Sequence, residues 1–217
     1  MNLPYDLSKT GNAAAMFLLL YCVAEVAMLW HYSTLFSFYT LIETGNLNQL
    51  EMDQAAADVD TTGAAVGALF LLALLGSYIA AGMWIYRAAA NAQAIAPTEG
   101  RITPGWSIGW FFVPFANLVM PFRAMRQTWN GLHGNPSLTD GMPGWTLIWW
   151  LAWLLSNSLA TGSMRINMNA DSIADFRLST QIDVASSIIA IGTALLFRHL
   201  ILQLTRASAQ ASASSQS

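Results

Sequence analysis

The stretch Thr103–Trp129, TPGWSIGWFFVPFANLVMPFRAMRQTW, decides how the rest of the chain must be arranged. From Gly105 to Met120 it carries no charge over sixteen residues. As ideal helix these would reach only about 24 Å, against a hydrocarbon core of about 30 Å. Pro114 and Pro121 each remove a backbone N–H and break a helix, and irregular backbone at membrane depth survives only when packed in protein or lining a wet cavity. Asn117 lies between the two prolines, where its amide is expected to satisfy carbonyls that the broken helix leaves free. Two readings stay open: an interfacial segment with Trp106 and Trp110 at headgroup level, or a re-entrant turn packed among membrane spans. In neither does the stretch cross.

Composition makes the flanking chain a membrane protein. Of 217 residues, 55% are hydrophobic and 10% charged, with nine tryptophans and a mean hydropathy of +0.44; soluble domains carry about 25% charged residues. Upstream, Ala13–Ile42 is an apolar run of thirty residues, too long for the roughly 7–15-residue core of a signal peptide, so it reads as a retained first span. The expectation is an all-α integral membrane helical bundle of four transmembrane helices, at about 13–35, 63–86, 145–161 and 184–204. A Pro-broken re-entrant or interfacial segment at 105–121 completes a single membrane domain over residues 1–206. Residues 43–62 read as an acidic external loop, 130–144 as a flexible loop, 164–183 as a polar loop and 207–217 as a disordered tail.

Cations orient this topology. With the central stretch not crossing, Lys9, Arg87, Arg101, Arg123, Arg126, Arg198 and Arg206 fall on one side and Arg165 and Arg177 on the other. A crossing would turn seven against two into five against four. The positive-inside rule therefore places both termini in the cytoplasm of a bacterial inner membrane.

The runs MWIYRAAANAQAI and ITPGWSIGWFFVPFANLVMPFRAMRQTW, and later WWLAWLL, resemble the bacterial multi-pass membrane proteins grouped as domain of unknown function 4328. The resemblance covers about residues 60–206. Its most specific part is carried by Pro104, Gly105, Trp106, Gly109, Trp110, Pro114, Asn117, Pro121, Arg123 and Arg126. It implies a multi-pass membrane protein and brings no activity with it.

Chemistry-bearing residues are few. The single cysteine, Cys22, lies in the first apolar run, so no internal disulfide or thiolate cluster can form. A net charge of -3 without a basic run argues against nucleic acid. His31 and His199 belong at opposite ends of their spans, which opposes a bis-histidine haem site, and His133 has no second histidine at helical spacing, so neither cofactor nor metal is expected. No nucleophile elbow, dinucleotide or phosphate-loop pattern supports an enzyme. Glu25 sits about 18 Å into the first span, where an ionisable residue is costly and marks either a proton or ion site or a packing-specific carboxyl. Arg198 and His199 lie near the inner end of the last span as topological anchor and core histidine.

The candidate functional residues are thus Glu25, Trp106, Trp110, Pro114, Asn117, Pro121, Arg123, Arg126, Arg198 and His199. The leading reading is a structural or accessory protein of the lipid bilayer that packs against itself or another membrane protein. It would use the small residues Gly63, Gly67, Gly76 and Ala80 and the stripe Trp145, Trp149, Trp153. The alternative is a small proton- or ion-coupled transporter or channel-like protein using Glu25 and the broken stretch. A third is a lipid-acting enzyme in which Arg101, Arg123 and Arg126 hold a phosphate headgroup.

Overall fold

The computed structural model describes residues 3–45 and 48–214, and among these every regular element is helical. Six α-helices follow in order: α1 (Ser8–Thr44), α2 (Gln49–Ile95), α3 (Pro104–Gly109), α4 (Met120–Leu132), α5 (Gly144–Met168) and α6 (Ile173–Ser214). Two 3-10 turns, Trp110–Phe112 and Ala116–Leu118, lie between α3 and α4.

The helices outrun the apolar runs that revealed them. Residues 49–62, expected as an acidic loop, are the first turns of α2. A reciprocal cap starts that helix: the Glu51 N–H donates to Asn48 Oδ1 at 3.0 Å and the Asn48 N–H to Glu51 Oε2 at 2.9 Å. The alanines at 55–57 then carry it forward. The expected tail is likewise α6 as far as Ser214, because its alanines favour helix in a polar setting; 215–217 lie outside the described residues. Hydropathy marks what lipid can touch, not where backbone hydrogen bonding ends.

Three helices, α1, α2 and α6, are long and apolar enough to cross a membrane by length and composition, not the four expected. The span expected at 145–161 lies in α5, which has 25 residues but mixes four tryptophans with Ser156, Asn157, Ser158 and Thr161. Within the most apolar windows of α1, α2 and α6 only 28%, 28% and 33% of residues are buried. Their apolar surface therefore faces outward, as it does when the solvent is hydrocarbon.

The chain divides into two units. The first comprises Met1–Leu18, Gly76–Trp150 and Leu195–Ser217. Its core is Trp84, Leu200, Ile201 and Leu204, all fully buried beside alanines of α2. Trp84 donates from Nε1 to Thr205 Oγ1 at 3.0 Å. Asn91, fully buried, donates from Nδ2 to the Tyr5 carbonyl at 2.7 Å and to Ser208 Oγ at 3.0 Å, and accepts from the Tyr5 N–H at 3.1 Å. One amide thus ties the lead segment, α2 and α6. Helix α4 meets α2 backbone to backbone, since a Cβ on Gly131 would come within 2.7 Å of the Ala92 carbonyl oxygen.

The second unit comprises Leu19–Leu75 and Leu151–Ala194. Helices α1 and α6 are tied by Arg177, which pairs with Glu43 at 2.7 Å, and by Tyr39 and Thr180, whose hydroxyls lie 3.4 Å apart. Helices α5 and α6 are tied by hydroxyls bonding to the facing backbone: Ser163 to the Ser179 carbonyl and Ser186 to the Ser156 carbonyl, each at 3.0 Å.

Candidate functional site

Glu25 belongs to the second unit and every other candidate to the first. Glu25 faces inward at 4% exposure, because α1 turns the Ala24–Glu25 pair away from the exposed Val23 and Val26. The Tyr21 hydroxyl, one helical turn before it, donates to Glu25 Oε1, and Ser187 on α6 offers a second hydroxyl. The Asp183 carboxyl of α6 lies within electrostatic range of both Glu25 and the Tyr32 hydroxyl, and Ser187 lies beside both. The Ser163 hydroxyl of α5, which donates to the Ser179 carbonyl, lies near Asp183. Two carboxyls, two phenols and two serines therefore share one polar centre. A cavity of about 410 Å3 opens beside it, with Asp183 and Tyr32 in its wall. The signal was present in sequence, since Asp183, Ser186 and Ser187 sit at helical spacing, but the boundary between the polar loop at 164–183 and the span at 184–204 divided them.

The central stretch lies in the first unit and is broken as its prolines require. Thr103 caps α3, accepting at Oγ1 from the Trp106 N–H at 3.4 Å. The Trp106 and Trp110 rings lie 4.6 Å apart. After the first 3-10 turn the chain reverses at Phe115, a non-glycine residue at φ 61°, a region that L side chains enter only at a steric cost. Phe112 and Phe115 project outward at 81% and 87% exposure. Between Pro104 and Val119 only Ser107 is buried.

Asn117 does not do what its position suggested. Its backbone N–H bonds to the Val113 carbonyl at 2.9 Å, and its half-buried side chain makes no hydrogen bond among the described residues. The loosened Leu118 carbonyl is taken instead by Trp150 Nε1 of α5, at 3.1 Å. An indole that is already buried for packing reaches this carbonyl at no further ordering cost, which a flexible amide on the outer side could not match. Pro114 is exposed, whereas Pro121 is buried in the first turn of α4, where a missing N–H breaks no helical bond.

The arginines do not form a phosphate clamp. Arg101 is 7% exposed; its Nη1 donates to the Gln127 carbonyl, and its Nη2 to Thr98 Oγ1 at 3.4 Å and the Asn135 carbonyl at 3.5 Å. Burial pushes its pKa down. Arg123 is exposed and Arg126 half-buried. Arg198 is half-buried with its Nε enclosed and unpaired, and the exposed His199 meets the Trp145 ring edge-on at 5.2 Å.

The loop expected to be flexible is closed by hydrogen bonds. Asn130 Nδ2 donates to the Ser137 and Asp140 carbonyls, both at 3.1 Å. Asn135 and Ser137 donate to the two Asp140 carboxylate oxygens, each at 2.7 Å. These bonds hold the Asp140 carboxyl below its ordinary range.

Three of the residues expected to meet a partner have neighbours within the chain. Gly76 lies against Phe17 and Gly63 against His31, and Trp149 stacks on Phe197 at 4.9 Å. Among the described residues no three metal-binding side chains converge.

A family model described as Domain of unknown function (DUF4328) matches residues 48–206, and the chain belongs to that family. No curated protein and no solved structure matches it.

Proposed function

We propose that this member of the DUF4328 family is a small proton- or cation-coupled protein of the bacterial inner membrane, working as a transporter or channel-like element. The observation that carries the reading is the centre in which Glu25 meets Tyr21 and Ser187 under the influence of Asp183. A carboxyl placed only to fix packing needs satisfied hydrogen bonds and gains nothing from a second carboxyl nearby, since like charges disfavour each other. Two carboxyls grouped with hydroxyls are instead parts suited to a proton or cation relay within the membrane.

The topology we adopt has four passes with both termini cytoplasmic. Helix α5 counts as the fourth because it joins α4 to the start of α6, and its polar side chains bond to its own carbonyls or, for Ser163, to α6. The broken stretch lies at the interface in this reading. Its residues before α4 are unburied apart from Ser107, and irregular backbone is not tolerated where bare lipid surrounds it. Phe112, Phe115 and Trp106 then enter the headgroup layer.

A structural subunit is the second reading. Gly67 and Gly82 on α2 face open space, which suits a close helix partner. Reconstitution separates the two. In liposomes holding the full chain and an entrapped pH dye, an imposed proton gradient should collapse faster than in empty liposomes, and Glu25→Gln should abolish the difference. Unchanged collapse in Glu25→Gln, or stoichiometric copurification with another membrane protein and no proton flux, would favour the structural subunit.

A further inference from the structure

Helices α1 and α6 of the second unit meet along a seam. The Cys22 thiol lies 4.0 Å from the Ile191 carbonyl, and further along α1 the Tyr39 and Thr180 hydroxyls lie 3.4 Å apart and Arg177 pairs with Glu43. Numbers rise on α1 as they fall on α6, so the two run antiparallel. Tyr21, Glu25, Met28, Tyr32, Leu35 and Tyr39 follow one another at three- and four-residue steps, which puts them on one face of α1. Thr180, Asp183 and Ser187 do the same on α6.

The seam is graded from wet to dry. Toward the Arg177 end it borders the cavity of about 410 Å3, whose wall takes Met28, Tyr32 and Leu35 from that face of α1 and Thr180 and Asp183 from α6. Asp60 of α2 and Asn167 of α5, in the same wall, are exposed and give it an open, polar side. Room for on the order of ten waters at about 30 Å3 each, with polar groups of four helices to bond them, makes this a wet space. Glu25 lies outside the wall and is buried, but Met28 of the wall is less than one turn from it on α1, and Ser187 stands beside both Glu25 and Tyr32. Beyond Glu25 small apolar side chains take over: on α6, Ala190 and Ala194 are buried on either side of Thr193.

What surrounds Glu25 suits a proton. The Tyr21 hydroxyl donates to it, and a hydrogen aimed at the carboxylate keeps a metal cation off that oxygen, whereas such a cation asks for about six oxygens at once. Hydroxyls both donate and accept, so a row of them can pass a proton without changing charge. We propose that the ion coupled at Glu25 is a proton, and that it arrives from one side only, through the cavity and by way of the Tyr32 and Ser187 hydroxyls. The Asp183 carboxylate in the wall attracts a hydronium ion, which gives its proton to the Tyr32 oxygen; the Tyr32 hydrogen passes to Ser187, and the Ser187 hydrogen to the Glu25 carboxylate. Each hydroxyl gains one proton and loses one, the hydronium ion becomes water, and Glu25 becomes neutral. The inference rests on the proposed function for its use of Glu25; the route and its sidedness are its own.

Cysteine accessibility tests the route, and proton flux tests the ion. In the full chain carrying Cys22→Ser, the single substitutions Met28→Cys, Leu35→Cys and Ala190→Cys are treated with an impermeant cationic thiol reagent from each face of the membrane. Asp58→Cys and Lys9→Cys, both at exposed positions, report the two faces. Met28→Cys and Leu35→Cys should react from the Asp58 face only, and at least about tenfold faster than Ala190→Cys, since a thiol in apolar surroundings holds less thiolate. In liposomes, collapse of a proton gradient should be equal in sodium and choline buffers and at least about tenfold slower in Tyr32→Phe and in Ser187→Ala. Equal reaction from the Lys9 face, reaction no faster than that of Ala190→Cys, a collapse that needs sodium, or full flux in both hydroxyl variants would each overturn the proposal. No flux from the unaltered chain sinks the proposed function and this route with it; flux alongside any of those four results sinks this inference alone.

Discussion

Asn91 and Glu25 are both buried polar residues on long apolar helices, yet their surroundings differ in kind. Asn91 spends its amide on three hydrogen bonds to fixed partners in two other segments. Glu25 is held by hydroxyls, which can donate or accept by rotating, and has a second carboxyl in electrostatic range. A closed amide network specifies a fold, whereas a rotatable hydroxyl shell around carboxyls tolerates a change of charge.

The largest effect should therefore fall on the amide. Asn91→Leu strips partners from the Tyr5 N–H and leaves Ser208 buried without its donor, and should cost about 3 kcal/mol or more, at roughly 1–3 kcal/mol per stranded group. Glu25→Gln keeps shape and hydrogen bonding and should cost less than about 1 kcal/mol. Thermal unfolding of both variants in detergent checks the pair. Equal losses would erase the distinction and make Glu25 a packing residue.

A middle-sized effect should separate Trp150 from Asn117. Trp150→Phe keeps most of the ring packing but strands the Leu118 carbonyl, and should lower stability by about 1 kcal/mol, the net value of one hydrogen bond. Asn117→Leu should change it less, because no hydrogen bond is lost. The reverse order in the same assay would show that Asn117 supports the broken stretch after all.

Much of the fold was legible before any coordinates. The all-helical character, the three helices long and apolar enough to cross a membrane and the break at Pro114 all follow from apolar run lengths and from proline chemistry. Helix ends did not, because lipid-facing hydropathy stops at the interface while Asn48, Glu51 and the tail alanines extend helices through polar sequence. The site was half legible. Glu25 stood out as a carboxyl in an apolar run, but Asp183 comes from 158 residues further along the chain, and only tertiary pairing of α1 with α6 brings the two into one centre. The Asn117 assignment failed for a related reason: the partner of the Leu118 carbonyl is 32 positions away, beyond any local pattern.

The smallest effect concerns the α4–α5 loop, which contrasts with both buried sites by facing water. The Asp140 carboxyl titrates below its ordinary value of 3.8 because Asn135 and Ser137 donate to its charged form. A depressed carboxyl contributes order that is fully present above its unfolded pKa and is lost as pH falls through the folded one. Amide hydrogen exchange at Ser137 and Asp140, corrected for intrinsic rates, should thus stay protected at pH 5 and lose protection below about pH 3.9. Protection that persists there would show that the backbone bonds from Asn130 alone close the loop.

The connection between α5 and α6 has a bearing on how the chain is made. Only residues 169–172 separate the two helices, too few for the pair to arrive at the membrane as independent segments. In the four-pass reading, α5 emerges from the ribosome first but is the less willing of the two to partition into lipid, given its tryptophans and hydroxyls. Helix α6 follows with an apolar run that qualifies by itself. Insertion as a hairpin lets the second arm carry in the first, with the Ser163 hydroxyl bonded to the Ser179 carbonyl and the Ser186 hydroxyl to the Ser156 carbonyl. In that reading a tight turn becomes an instruction for biogenesis, coupling the entry of these two helices.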